Sequence, residues 1–218
     1  MIEAVLFDLD GTLIDTAPDM GRALNNLLIE ENLPTIPLET IRPFVSQGGL
    51  VLTRLGFSEH VDESEIESLR LRFLDHYHAI IADDSVLFEN FEQVLGSLEQ
   101  RGIPWGIVTN KPEWLTTPLL EQMDLGQRAA VVICGDTLEQ RKPHPLPLIV
   151  AAETIGIDCE SCVYVGDDAR DIVAGKAANM KTLVAAYGYI EPDTDITSWQ
   201  AGGVIEHPLD LLSHPLLN

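Results

Sequence analysis

Basic residues are scarce in this chain: thirteen lysines and arginines stand against thirty-five aspartates and glutamates, a formal charge of −22 over 218 residues. A field of that sign repels phosphate backbones and anionic lipid surfaces, which argues against nucleic acid or a membrane as a partner. A phosphorylated substrate would have to be held by a bound cation and a few well placed basic groups. Cysteine is scarce too. Cys134, Cys159 and Cys162 are an odd number with no histidine cluster beside them, so neither a disulfide framework nor a zinc site is expected, and a reducing, cytoplasmic setting fits. No apolar run reaches the roughly 18 to 20 residues that span a bilayer. The first residues lack the basic flank and long apolar stretch of an export signal, and there are no repeats or low-complexity tracts. What remains is 45% hydrophobic and 22% charged, enough apolar material for a sizeable globular core.

Short Val- and Ile-rich runs recur in the second half, each followed by turn residues and a helical stretch: 103–108, 130–134, 162–165, 182–186 and 203–205. With 4–7 they predict six buried strands, and strands alternating with helices imply a doubly wound, parallel α/β sheet. The first gap breaks the rhythm. About ninety-five residues separate Phe7 from Ile103, whereas one strand-helix-strand crossover takes about thirty. The surplus reads as helical. Met20, Ala23, Leu24, Leu27 and Leu28 share one helix face, and the capping box at Asp62 to Glu65 opens a second helix striped by Ile66, Leu69, Phe73 and Tyr77. The expected organisation is a core of residues 1–15 and 84–218, with a small helical unit of residues 16–83 inserted after the first strand.

Chemistry-bearing residues gather at the ends of these strands, where an open parallel sheet binds its ligands. Asp8-Leu9-Asp10-Gly11-Thr12 follows the first; Asp8 and Asp10 point to one side of an extended chain, and Gly11 permits a sharp turn. Taken alone the segment also fits a capping Asp beside an unrelated turn Asp. Two carboxylates this close call for a cation between them, and oxygen ligands suit Mg²⁺. Thr109-Asn110 offers a hydroxyl and an amide for a phosphoryl oxygen, although a helix N-cap reads the same way. Lys142-Pro143 supplies an ammonium. Gly166-Asp167-Asp168-Ala169-Arg170-Asp171 adds three carboxylates that complete a metal shell or, equally, cap a helix.

The order D-x-D-G-T, T-N, K-P, G-D-D-x-x-D resembles the haloacid dehalogenase superfamily across essentially the whole chain. The resemblance implies that Asp8 is the nucleophile forming an aspartyl-phosphate. Asp10 would protonate the leaving alkoxide and then activate water, and Thr109 and Lys142 would hold phosphoryl oxygens. Mg²⁺ would bind the Asp8 carboxylate, the Asp10 carbonyl and Asp167, supported by Asp168 and Asp171, while the insert matches the family's C1 cap. An acid at Asp10 suits a phosphate ester, whose alkoxide needs a proton, rather than a halide. A receiver-type signalling module, the alternative from another class, is about half this long, lacks a cap and carries its phospho-accepting Asp after a later strand.

Within the family the chain resembles phosphoglycolate phosphatases and the N-acetylmuramic acid 6-phosphate phosphatases of peptidoglycan recycling. The second group is the closer on the strings Trp105 to Pro112, Val165 to Ile172, Tyr187 to Ile190 and Ile41 to Gly49. Both act on a small carboxylated phosphate ester, and Arg42 beside the Ser46 to Gly49 loop could pair with that carboxylate or, equally, with Glu39 or another of the chain's many acids. Gly11, Asn110, Arg42, Ser46 and Gly48 are thus the expected substrate contacts, and both a monomer and a homodimer fit.

Overall fold

The computed structural model describes residues 2–217. Its centre is a six-stranded sheet of β1 (Ala4–Phe7), β4 (Trp105–Val108), β5 (Val132–Ile133), β6 (Cys162–Gly166), β7 (Lys181–Ala185) and β8 (Gly203–Ile205). The order is β5-β4-β1-β6-β7-β8, every pair parallel. These are the six segments that the apolar runs predict. β1 and β4 are buried along their whole length, as strands covered on both faces must be. The covering helices are α5 (Phe91–Gln100), α6 (Glu113–Gln122), α7 (Leu146–Ile155) and α8 (Ala169–Ala177), with a short α9 (Asp210–Ser213) near the end. Phe7 pairs with Ile107 on one side and Val165 on the other. That register brings the segments after β1, β4 and β6 to one edge, where the strand order switches direction.

Four helices lie between β1 and α5: α1 (Ala17–Glu30), α2 (Leu38–Ile41), α3 (Gly49–Phe57) and α4 (Glu63–Ala79), with a 3-10 turn over Arg42–Gln47. α1 buries Met20, Ala23, Leu24, Leu27 and Leu28. α4 opens on the Asp62–Glu65 capping box and buries Ile66, Leu69, Phe73 and Tyr77. Burial of each Leu, Ile, Met or Phe among them is worth about 1.5 to 3 kcal/mol, which outweighs the weak intrinsic preference of isolated helices.

Two connections tie these helices to the sheet. β2 (Ile14–Asp15) and β3 (Val86–Leu87) form a two-residue antiparallel pair, an element too short to leave a periodic signal in the sequence. Beside it the fully buried Asp19 of α1 accepts hydrogen bonds from the Asp84 N–H, the Ser85 N–H and the Ser85 hydroxyl. The segment entering the insert is thereby fastened to the one leaving it.

Candidate active site

At the switch point Asp8, Asp167 and Asp171 each present a carboxylate oxygen, all within 4.8 Å of one another and all buried. β1 ends at Phe7 and aims Asp8 into this edge. The tight turn after β6 delivers Asp167, and Asp171 lies in the first turn of α8. Lys142 balances the cluster. Its ammonium forms ion pairs with Asp8 at 2.8 Å and Asp171 at 2.7 Å and donates a hydrogen bond to the Tyr164 hydroxyl at 2.7 Å. Tyr164 in turn donates to the Val108 carbonyl at 2.7 Å.

Burial pushes the Asp8 carboxyl up to about 6 against the opposing pull of Lys142. Asp167 rises further, to about 8, through burial and then through repulsion by Asp8 and Asp171. Crowded, desolvated carboxylates of this kind are stabilised when a cation joins them. Ser46 shows how closely the surrounding oxygens converge: its hydroxyl is 2.7 Å from Asp167 Oδ2 and 3.1 Å from the Asp10 carbonyl oxygen. An all-oxygen set of Asp8, the Asp10 carbonyl and Asp167 therefore fits Mg²⁺. Gly11 makes the approach possible. Its φ of +81° is left-handed, and a Cβ there would stand 2.2 Å from Asp167 Oδ2.

Asp10 turns toward the insert. Its Oδ1 accepts from the Thr16 hydroxyl at 2.6 Å and from Lys111 Nζ at 2.9 Å. Thr109 is buried on the cavity wall, where its hydroxyl accepts from the Lys111 N–H. Asn110 donates to the Lys142 carbonyl, joining the segments after β4 and β5. Asp168 lies outside the carboxylate cluster; it caps α8 and pairs with Arg170.

A cavity of about 810 Å³ opens above these groups, roofed by Val45 to Val51 and by Arg70, Leu74 and Tyr77 of α4. Ser46 and Gly48 line it. Arg42 does not. Its guanidinium is held at 2.9 and 3.0 Å by both carboxylate oxygens of Asp15 and rests against the Tyr189 ring, and it is absent from the cavity wall. Of the partners the sequence allows for Arg42, the structure shows an acid of the chain, Asp15, which β2 brings under it. Sequence reasoning missed Lys111, Tyr164, Arg70 and Arg141. Lys111 and Lys142 are two of only four lysines, and both follow strands, which was a usable signal; Tyr164 was hidden inside an apolar strand.

A parallel sheet with buried carboxylates at its switch point, opposed by buried lysines and roofed by a helical insert, defines an α/β enzyme built to work on an anionic ligand. The haloacid dehalogenase-like hydrolase model matches residues 5–185, and the chain belongs to that family. It is 50% identical over 208 residues to a phosphoglycolate phosphatase of Xanthomonas campestris, covering 95% of this chain and 94% of the relative. It is 40% identical over 210 residues to an N-acetylmuramic acid 6-phosphate phosphatase of Pseudomonas putida, covering 96% and 94%. Among solved structures, that of a "predicted phosphoglycolate phosphatase" from Haemophilus somnus superposes with a TM-score of 0.86 at 25% identity, covering 97% of each chain. Overall identity is thus higher to the phosphoglycolate phosphatase, whereas the motif strings resemble the second group more closely.

Proposed function

We propose a substrate and a mechanism for this phosphoric monoester hydrolase: it removes phosphate from N-acetylmuramic acid 6-phosphate in peptidoglycan recycling, a cytoplasmic task. The observation that carries the reading is the cavity. A volume of about 810 Å³ with Met20, Val45, Leu50 and Leu74 on its wall suits a sugar acid bearing acetyl and lactyl groups, and far exceeds what a two-carbon acid fills. Phosphoglycolate is the second reading, favoured by the 50% identity to the Xanthomonas enzyme. Residues 16–83 act in either case as a cap over the reacting group.

In the mechanism Asp8 attacks phosphorus, forming an aspartyl-phosphate as the ester bond breaks. Asp10 enters this step protonated and gives that proton to the departing alkoxide, becoming the carboxylate that Lys111 meets. Asp10 then takes a proton from water as the water attacks phosphorus, which frees the Asp8 carboxylate and releases inorganic phosphate. Lys142 offsets charge on the phosphoryl oxygens while fixing the Asp8 rotamer, and Thr109 and Asn110 contribute hydrogen bonds. Mg²⁺, held by Asp8, Asp167 and the Asp10 carbonyl, would supply further charge neutralisation on the phosphoryl group; Asp171 supports it by positioning Lys142, and Asp168 by capping α8.

Phosphate release measured side by side on N-acetylmuramate 6-phosphate, 2-phosphoglycolate, glucose 6-phosphate and nucleoside monophosphates tests the reading. The highest kcat/KM on the muramate is expected; a higher value on phosphoglycolate selects the second reading.

A further inference from the structure

In a chain this acidic almost every guanidinium finds a partner. Of nine arginines, seven pair with carboxylates and Arg101 donates to the Leu217 carbonyl. Arg141 is the exception: among the described residues its guanidinium makes no hydrogen bond or ion pair, and it stands exposed on the cavity wall. Asp136 on the same wall accepts from the Glu113 N–H. The cavity's other cations are spent. Lys142 serves Asp8 and Asp171, Lys111 serves Asp10, Arg170 serves Asp168 and Arg70 is bound twice by Glu67.

We propose that Arg141 determines substrate choice by binding the second anionic group of the ester, its carboxylate, through the paired N–H···O geometry that a guanidinium offers and an ammonium does not. Arg141 is next in sequence to Lys142, and both line the same cavity. This rests on the phosphomonoesterase reading above. It also explains how an enzyme of charge −22 attracts a substrate with two anionic ends: one unpaired cation faces the cavity while the acids of the wall are hydrogen-bonded elsewhere.

The test compares the wild type, Arg141→Gln and Arg141→Lys on two matched pairs of esters that differ in the carboxylate: N-acetylmuramate 6-phosphate with N-acetylglucosamine 6-phosphate, and 2-phosphoglycolate with 2-hydroxyethyl phosphate. For Arg141→Gln the loss in kcat/KM on the carboxylated member should exceed that on its partner by about 10- to 150-fold, the range of a charged hydrogen bond. It should fall mainly on KM, and Arg141→Lys should recover part of it. Thermal melts of an exposed-site variant should match the wild type. Equal losses on both members, or no loss, overturn the assignment. Should the wild type release phosphate from p-nitrophenyl phosphate but show no preference within either pair, the Arg141 assignment fails while the hydrolase reading stands. Release from none of the esters brings down the hydrolase reading itself.

Discussion

Lys111 Nζ lies 2.9 Å from Asp10 Oδ1 and 4.4 Å from the centroid of the Tyr77 ring. The lysine and aspartate belong to the core, and the ring belongs to α4 of the insert. Burial works against the ammonium, but the Asp10 carboxylate outweighs it, and Lys111 stays protonated above its ordinary range. The group proposed to shuttle the proton is thus oriented by a cation that the insert covers.

This pair should behave as one unit. In a double-mutant cycle, Lys111→Met and Asp10→Asn should each destabilise the protein, and the double variant should cost less than their sum by about 1 to 3 kcal/mol. Additive losses in urea melts would mean that the contact contributes nothing.

Asp8→Asn should leave the fold intact and reduce turnover to below about a hundredth of wild type, because loss of a nucleophile costs several orders of magnitude. Phosphate release together with far-ultraviolet circular dichroism reads both halves of this expectation.

Metal binding should depend on pH. Asp8 and Asp167 have their carboxyls raised to about 6 and about 8 from 3.8, so the folded, metal-free protein binds protons that the unfolded chain has released. Their contribution to stability is complete below about pH 4 and is lost as pH rises through those two values. In chelator Tm should therefore fall from about pH 5 to about pH 8. Added Mg²⁺ should raise it more at the upper end, where no proton competes for the oxygens. A Tm indifferent to Mg²⁺ at pH 8 would contradict the assigned ligands, as would full activity after chelation.

Arg42→Ala should now lower activity equally on carboxylated and uncarboxylated esters. The Arg42–Asp15 pair is partly exposed, with side chains 36% and 19% accessible, so its stability cost should be about 0.2 to 1 kcal/mol. A selective loss on the carboxylated substrate would restore Arg42 to the recognition site.

The sheet was legible because buried parallel strands must be continuous apolar runs, and 4–7 or 105–108 can hardly be read otherwise. The Asp62 capping box was equally plain, being local chemistry. What the sequence hid was pairing at a distance. Nothing near Arg42 in the chain announces that Asp15 will lie beneath it, and an abundance of acids made any partner plausible. Tyr164 illustrates the opposite concealment: its hydroxyl holds Lys142, yet its ring belongs to the apolar rhythm of β6.

The pairing of Ile14–Asp15 with Val86–Leu87 places the entrance and exit of the insert side by side. A chain that leaves and returns through adjacent points imposes no length on what lies between them. The four helices between these two points are joined to the sheet at one doorway, so changes in their length need not disturb the register of the six strands.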